Sequence, residues 1–205
     1  MLFAPVQAAN VNTVKAAIVK HSIEMGVDPA ITLSIAKTES GYRHEARSSH
    51  GAVGVFQLMP STARRMGLNP YSLDDNIKGG IMYYKSMYKM FGSMELALAA
   101  YNAGPANVKK YKAIPPFSET RRFVSKIMAD YHYLKAHTDP AVLAYKKQMV
   151  NKTPSKVNAD MVAATPTSKL APLPVAKIEQ SRKLNVEIMK GDPVEVELKS
   201  QSVAI

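Results

Sequence analysis

The sequence predicts a mainly α-helical domain followed by a polar tail, and three features carry that prediction. Between residues 10 and 137, glycines, prolines and capping residues recur at helix-length intervals, with apolar residues between them at helical spacing. No stretch of this region alternates apolar and polar residues for long enough to argue for a sheet. Beyond about residue 150 the composition shifts to Pro, Ser and Lys with few aromatics.

Val11, Val14, Ile18 and Met25 trace one face of a first helix, which Gly26 closes. In "VDPA", Asp28 is the N-cap and Pro29 the first helical residue of a second helix that runs to Glu39. Pro60 and Ser61 open a short helix that stops at Gly67. Asp74 or Asp75 caps a longer one, with Ile77, Ile81, Tyr84 and Phe91 on its apolar face and Gly92 at its end. Ser93 precedes another, "MELALAAYNAG", terminated by Gly104 and Pro105. After "IPP", Ser118 caps a last helix with Val124, Ile127, Tyr131 and Leu134 inward. Long irregular segments are expected around 41–57 and 102–118.

Residues 138–205 read as linker and tail. The linker contains "TPSK", "TPTSK" and "APLP"; residues 184–199, "LNVEIMKGDPVEVELK", alternate about a Gly-Asp-Pro turn as one β-hairpin would. Residues 1–9, "MLFAPVQAA", resemble the remnant of a secretory signal, with Val6 and Ala8 at the small-residue positions before a cleavage point.

The 205 residues suit one domain with an appendage. No apolar run is long enough for a membrane span. The lack of cysteine excludes disulfides and thiolate metal sites. The net charge of +11 favours an anionic partner: nucleic acid, anionic lipid, or a cell-wall polymer carrying carboxylates and phosphates. Residues 10–137 hold 17 Lys and Arg against 9 Asp and Glu, so the folded part is itself basic at +8. Its basic residues are scattered and aromatic stacking runs are missing, which argues against nucleic acid.

The residue with the clearest chemical meaning is Glu39, at the close of the apolar run "AITLSIAKTESG". A solvated glutamate is the commoner reason for a carboxylate on a helix, but the last turn is a poor place for one, because the carbonyl end of the dipole repels it. Apolar walls and that dipole both resist ionisation, which suits a general acid near neutral pH. Ser40 is positioned to hydrogen-bond and orient the carboxyl, and Gly41 lets the chain turn away and leave room for a ligand. In "SSHGAVGVFQLMPSTA", Gly51 and Gly54 permit close backbone approach, and Gln57 offers an amide donor and acceptor suited to sugar hydroxyl and acetamido groups. Tyr101 and Asn102 pair a ring with an amide at a helix end. Each of these two segments also reads plainly as ordinary packing.

"ESGY", "GAVGVFQLMPSTA", "LALAAYNAGPANVKKY" and "IPPFSETRRFV", in that order and spacing, resemble the soluble lytic transglycosylase family over roughly residues 15–135. The resemblance implies a lysozyme-like helical fold with Glu39 as the single catalytic acid/base and Ser40 as its hydrogen-bonded neighbour. It implies that Gly54, Phe56 and Gln57 line the saccharide groove and that Tyr101 and Asn102 reach the substrate. Two positions depart from the family pattern. "GVFQ" stands where the family usually has "GLMQ", so Phe56 replaces a methionine and keeps an apolar wall. Phe123 stands where a tyrosine is common, which removes a hydroxyl near the acid.

Hydrolytic glycosidases use two carboxylates. The resemblance implies that one suffices here, because the sugar's own 6-hydroxyl attacks the anomeric carbon with help from the neighbouring acetamido group. The implied substrate is the glycan strand of peptidoglycan, cut between N-acetylmuramic acid and N-acetylglucosamine to leave a 1,6-anhydro end, without a cofactor. His44 and His50 lie near Glu39 in sequence, but no HExxH or comparable spacing argues for metal. A hydrolytic muramidase would need a second acid, for which Glu45, Asp74 and Glu95 are the candidates; a non-catalytic wall-binding scaffold would not need Glu39 intact. The expected location is the periplasm or cell envelope, or alternatively a phage virion, with the tail docking on an envelope-spanning apparatus, a capsid or the wall.

Overall fold

Eight helices follow one another through residues 10–152, the part of the chain described by the computed structural model. They are α1 (Val11–Glu24), α2 (Pro29–Ser40), α3 (Pro60–Arg65), α4 (Leu73–Phe91), α5 (Met94–Ala103), α6 (Pro105–Tyr111), α7 (Ser118–Ala136) and α8 (Pro140–Lys152). Among the described residues extended pairing is limited to two isolated bridges, Arg47 with Val53 and Val53 with Leu58. The mainly α expectation holds. The proposed signal remnant at 1–9 and hairpin at 184–199 lie outside the described residues.

Helix α2 is the centre of the domain. Every residue from Ala30 to Ala36 is buried, so it has no solvent face over two turns. It packs between α1 and α7, while α4 and α5 close the core around Ile77, Ile81 and Leu98. Asp28 caps its start, the carboxylate accepting from the Ala30 amide at 2.9 Å, with Pro29 in the first turn where no donor is lost.

The caps expected for two other helices are different ones. Helix α4 is capped by Ser72, whose hydroxyl accepts from the Asp75 amide, because the serine sits one residue before the first helical turn. Asp74 and Asp75 then fall inside that turn. Asp74 pairs with Lys78 at 2.6 Å and with His21 of α1 at 2.6 Å, and Asp75 accepts from the Asn69 amide at 3.0 Å. Ser118 is the first residue of α7 and its hydroxyl makes no capping bond; Phe117 occupies the cap position.

Two helices were not anticipated. Pro105, read as a terminator, is the first residue of α6, a position its missing N–H favours. Helix α8 begins three residues after the boundary drawn at 137, with the Asp139 carboxylate accepting from the Ala141 amide. Its Ala141, Val142 and Tyr145 pack on the core beside α1.

Gly79 and Gly80 let α4 lie directly on the segment after Val55. A Cβ on Gly80 would overlap the Phe56 ring, and one on Gly79 would come within 2.6 Å of the Leu58 side chain. Gly to Ala inside a helix usually stabilises by about 0.5–1 kcal/mol. Here the sign should reverse: Gly80→Ala should lower stability by about 1–2 kcal/mol through overpacking, read as a lower urea midpoint. A midpoint at or above that of the wild type would show that α4 can back away.

The Asp74 carboxyl is held down at about 2, first by its hydrogen bond to Lys78 and then by that to His21. A depressed carboxyl contributes stability above its ordinary value and loses it as pH falls through the depressed one. Asp74→Asn should therefore be less stable than wild type at neutral pH, with the gap closing between about pH 4 and about pH 2. A gap that persists at pH 2 would assign the effect to packing.

Candidate active site

Helix α2 ends in a tight reversal directly after Glu39. Gly41 and Tyr42 are both left-handed, at φ 62° and 67°, and their amides donate back to the Lys37 and Ala36 carbonyls at 3.0 and 3.4 Å. A left-handed tyrosine is costly and persists only where its surroundings hold it. Tyr42 is buried in the core; the Lys15 ammonium lies 5.2 Å from its ring centroid, and Lys15 pairs with Asp139 at 2.6 Å. Helix α1 and the cap of α8 thus brace the turn that leaves Glu39 half-buried at the end of the central helix.

Opposite this turn lies the segment 53–58, almost wholly enclosed and neither helix nor strand. Its backbone polar groups are satisfied by side chains from three helices. Ser40 of α2 donates to the Val55 carbonyl at 2.8 Å. Asn76 of α4 accepts from the Phe56 amide at 3.0 Å and donates to the Val53 and Pro70 carbonyls at 2.9 and 3.1 Å. Tyr101 of α5 donates to the Phe56 carbonyl at 2.9 Å. Inside the segment Val53 and Leu58 exchange both backbone bonds, and the Gln57 amide donates to the Gly54 and Ala46 carbonyls at 2.9 and 3.3 Å. Gly54 is left-handed at φ 78°, and a Cβ there would run into the Asn76 amide, so glycine is required twice over.

Tyr101 is bonded to this segment and feels the charge of Glu39. Burial pushes its hydroxyl well up, and the charge of Glu39 pushes it further in the same direction, so it stays a donor. Phe123 of α7 stacks on its ring at 6.4 Å and 15°, and Tyr83 of α4 meets it edge-on at 5.1 Å. Asn102 is partly exposed, and its side-chain oxygen accepts from the Thr120 hydroxyl at 2.7 Å.

Ser40, Gly54, Gln57 and Tyr101 are therefore tied into one network through the segment 53–58, with Glu39 preceding Ser40 at the end of α2, Phe123 stacked on Tyr101, and Asn102 following Tyr101 at the end of α5. Two roles differ from expectation. The Ser40 proton goes to the Val55 carbonyl, so this hydroxyl fastens the segment to α2 instead of orienting the carboxyl. Phe56, expected as a groove wall, is fully enclosed, its ring filling the space that Gly80 leaves; only its backbone serves the site. Asn76 and Tyr83 were missed. The run "NIKGG" carried a signal: an asparagine and two glycines early in a helix mark something packed closely against it.

The alternative acids have other employment. Asp74 is committed to Lys78 and His21, and Glu95 accepts from the Ser93 hydroxyl at 2.8 Å in the first turn of α5. Glu45 is exposed. Among the described residues no three His, Asp or Glu side chains gather as metal ligands, and no helix is long and apolar enough to cross a membrane.

The sequence model of the Transglycosylase SLT domain matches residues 16–124. The chain is similar to the transglycosylase of Enterobacteria phage PRD1, 30% identical over 122 residues that cover 59% of this chain and 44% of that protein. It is also similar to the soluble lytic murein transglycosylase of Salmonella typhimurium, 31% identical over 134 residues, covering 52% of this chain and 21% of that one. Among solved structures, the 70 kDa soluble lytic transglycosylase of Escherichia coli aligns with a TM-score of 0.54 at 27% identity, over 62% of this chain and 25% of that chain. An inactive mutant of lytic transglycosylase Slt from Pseudomonas aeruginosa aligns with a TM-score of 0.52 at 29% identity, over 66% and 24%. The chain thus spans less than half the length of these relatives.

Asn76→Ala would leave the Phe56 amide and the Pro70 carbonyl buried without their partner, while the Val53 carbonyl keeps the Leu58 amide. At about 1–3 kcal/mol for each stranded group, it should cost about 2 kcal/mol or more in urea unfolding. A loss below about 1 kcal/mol would mean that water or a shifted backbone replaces the side chain.

Proposed function

The chain belongs to the Transglycosylase SLT domain family, and from that membership we propose that it is a peptidoglycan lytic transglycosylase with Glu39 as its only acid/base. The observation that carries this reading is the placement of Glu39: a half-buried carboxyl ending the central buried helix, next to a tyrosine whose hydroxyl is already committed to backbone.

The chemistry proceeds in two halves. The protonated Glu39 gives its proton to the glycosidic oxygen as the bond from the muramic acid anomeric carbon breaks, and the acetamido oxygen of that sugar shares the positive charge. The Glu39 carboxylate then takes the proton of the 6-hydroxyl while that oxygen bonds to the anomeric carbon. The acid is regenerated, no water enters, and the muramic acid ends as a 1,6-anhydro sugar. Asn102 contributes amide N–H donors for substrate, since its oxygen is held by Thr120. Gln57 and Gly54 shape the facing wall. No step calls for a cofactor.

The substrate lies in the bacterial envelope, so the periplasm or envelope is the working location; the similarity to a phage transglycosylase supports virion carriage as the second reading. Residues 153–205, which hold none of the site residues, are assigned to docking on an envelope apparatus, a capsid or the wall.

Glu39→Gln should fold as the wild type does and lose at least about a hundredfold in activity on purified peptidoglycan, because an amide cannot transfer the proton. Retention of more than a tenth of the rate would remove Glu39 from this role. Mass spectrometry of an exhaustive wild-type digest should find each muropeptide one water lighter than its hydrolysis counterpart, with no reducing muramic acid. Alanine at Glu45 or Glu95 should leave turnover within a few-fold. Reducing ends as the main product would identify a hydrolase.

A further inference from the structure

Helix α8 has two faces, which the spacing of its residues separates. Ala141, Val142 and Tyr145 turn onto the core beside α1. Leu143, Lys146, Lys147 and Val150 stand at i, i+3, i+4 and i+7, which places them in one row along the other side. Leu143 is 55% exposed and Val150 73%, so the row carries two large apolar side chains into solvent with two lysines between them. Residues 140–152 hold three lysines and no acid, and among the described residues neither Lys146 nor Lys147 forms an ion pair. Unpaired cations occur elsewhere in the domain; what sets α8 apart is the apolar row that its cations interrupt. Helices α3 and α6 also lack acids, but α3 exposes no large apolar side chain and α6 exposes only Tyr111.

The apolar surface continues past α8. Ile23 of α1, 40% exposed, joins Leu33 of α2, Leu134 of α7 and Val142 in walling a cleft of about 210 Å3 beside Lys146. The acids on this cleft are already matched, Asp28 by Lys135 at 2.8 Å and Asp139 by Lys15 at 2.6 Å, so Lys146 is its surplus charge. The residues placed around Glu39 come from other elements, and this face is no part of that site.

We propose that the outer face of α8 docks on membranes of anionic phospholipid, with Leu143 and Val150 entering the acyl boundary and Lys146 and Lys147 meeting phosphates. The proposal is independent of the chemistry assigned to Glu39. A solvent-facing helix is convex, and cations without an acid among them suit a flat surface of negative charge, where each ammonium finds a phosphate. A protein partner would need a groove for the apolar row and carboxylates at fixed positions. Lysine stems lie along apolar surface while their ammoniums stay at headgroup level. The cleft beside Lys146 suits the end of an acyl chain whose phosphate remains with that ammonium. Docking of this kind is reversible, because two apolar side chains are too few for a permanent anchor.

The chain contains no tryptophan, so Leu143→Trp creates a single emitter on this face of the full chain. With vesicles of equal parts phosphatidylglycerol and phosphatidylcholine, its emission should shift to the blue and be quenched by lipids brominated on their acyl chains. Pure phosphatidylcholine should do neither. Tyr111→Trp, on α6 beside Lys109 and Lys110, should stay unquenched. In sedimentation with the mixed vesicles, Lys146→Glu with Lys147→Glu should weaken binding at least about tenfold, and Lys109→Glu with Lys110→Glu should leave it nearly unchanged. Leu143→Ser, which adds no ring, should also weaken it. No blue shift from Leu143→Trp, quenching of both emitters alike, equal loss from the two charge reversals, or full binding by Leu143→Ser would overturn the proposal. Equal affinity for soluble polyphosphate with the Leu143→Trp emission unmoved would overturn it too, by making the face a polyanion site with no apolar part.

Discussion

The backbone of residues 53–58 must find hydrogen-bond partners out of reach of water, and the architecture around Glu39 follows from how it does so. A buried segment that is neither helix nor strand satisfies only some of its own amides and carbonyls, here those of Val53 and Leu58. Here Ser40, Asn76 and Tyr101 supply the missing partners, one from each of α2, α4 and α5. Their side chains are therefore both fold and site. The helix that carries Glu39 is locked to the segment facing it, and the hydroxyl of Tyr101 is spent on that lock. Gly54 and Gly80 complete the arrangement by removing the atoms that would stand between the segment and α4.

The helical plan was legible because caps and breakers act locally. Asp28, Pro29, Gly41 and Gly92 do in the structure what their chemistry predicts in the sequence. The errors arose where two local signals compete. Ser72 and two aspartates all suit a cap, and the position of the first turn decides among them. Pro105 both stops α5 and starts α6, which composition alone does not distinguish. Glu39 was legible as a carboxyl in the wrong place on a helix dipole. The roles of Ser40 and Phe56 were not, since which way a side chain turns from an irregular segment depends on what packs behind it. Asn76 shows the converse: its importance lies mainly in tertiary contacts 20 to 23 residues away.

The domain also divides electrostatically. Three lysines are neutralised by aspartates that join one helix to another, Lys15 with Asp139, Lys37 with Asp130 and Lys135 with Asp28. Most such pairs are partly exposed and contribute little each to stability. Around α6 and the start of α7 the cations stand without carboxylate partners, as do Arg43, Arg47, Arg64 and Arg65 in the segment between α2 and α4. A basic protein is often described by its total charge; the distribution matters more, because a polyanion meets only what is left unpaired.

The bonds that lock the segment 53–58 close loops of 15, 20 and 45 residues. Each closure costs chain entropy before the contact repays it, so the segment cannot set until α2, α4 and α5 have already packed. The helices can form early from local interactions, but the facing wall of the acid is among the last parts to assemble. A partly folded chain therefore carries Glu39 before the segment that Ser40 ties to its helix has set.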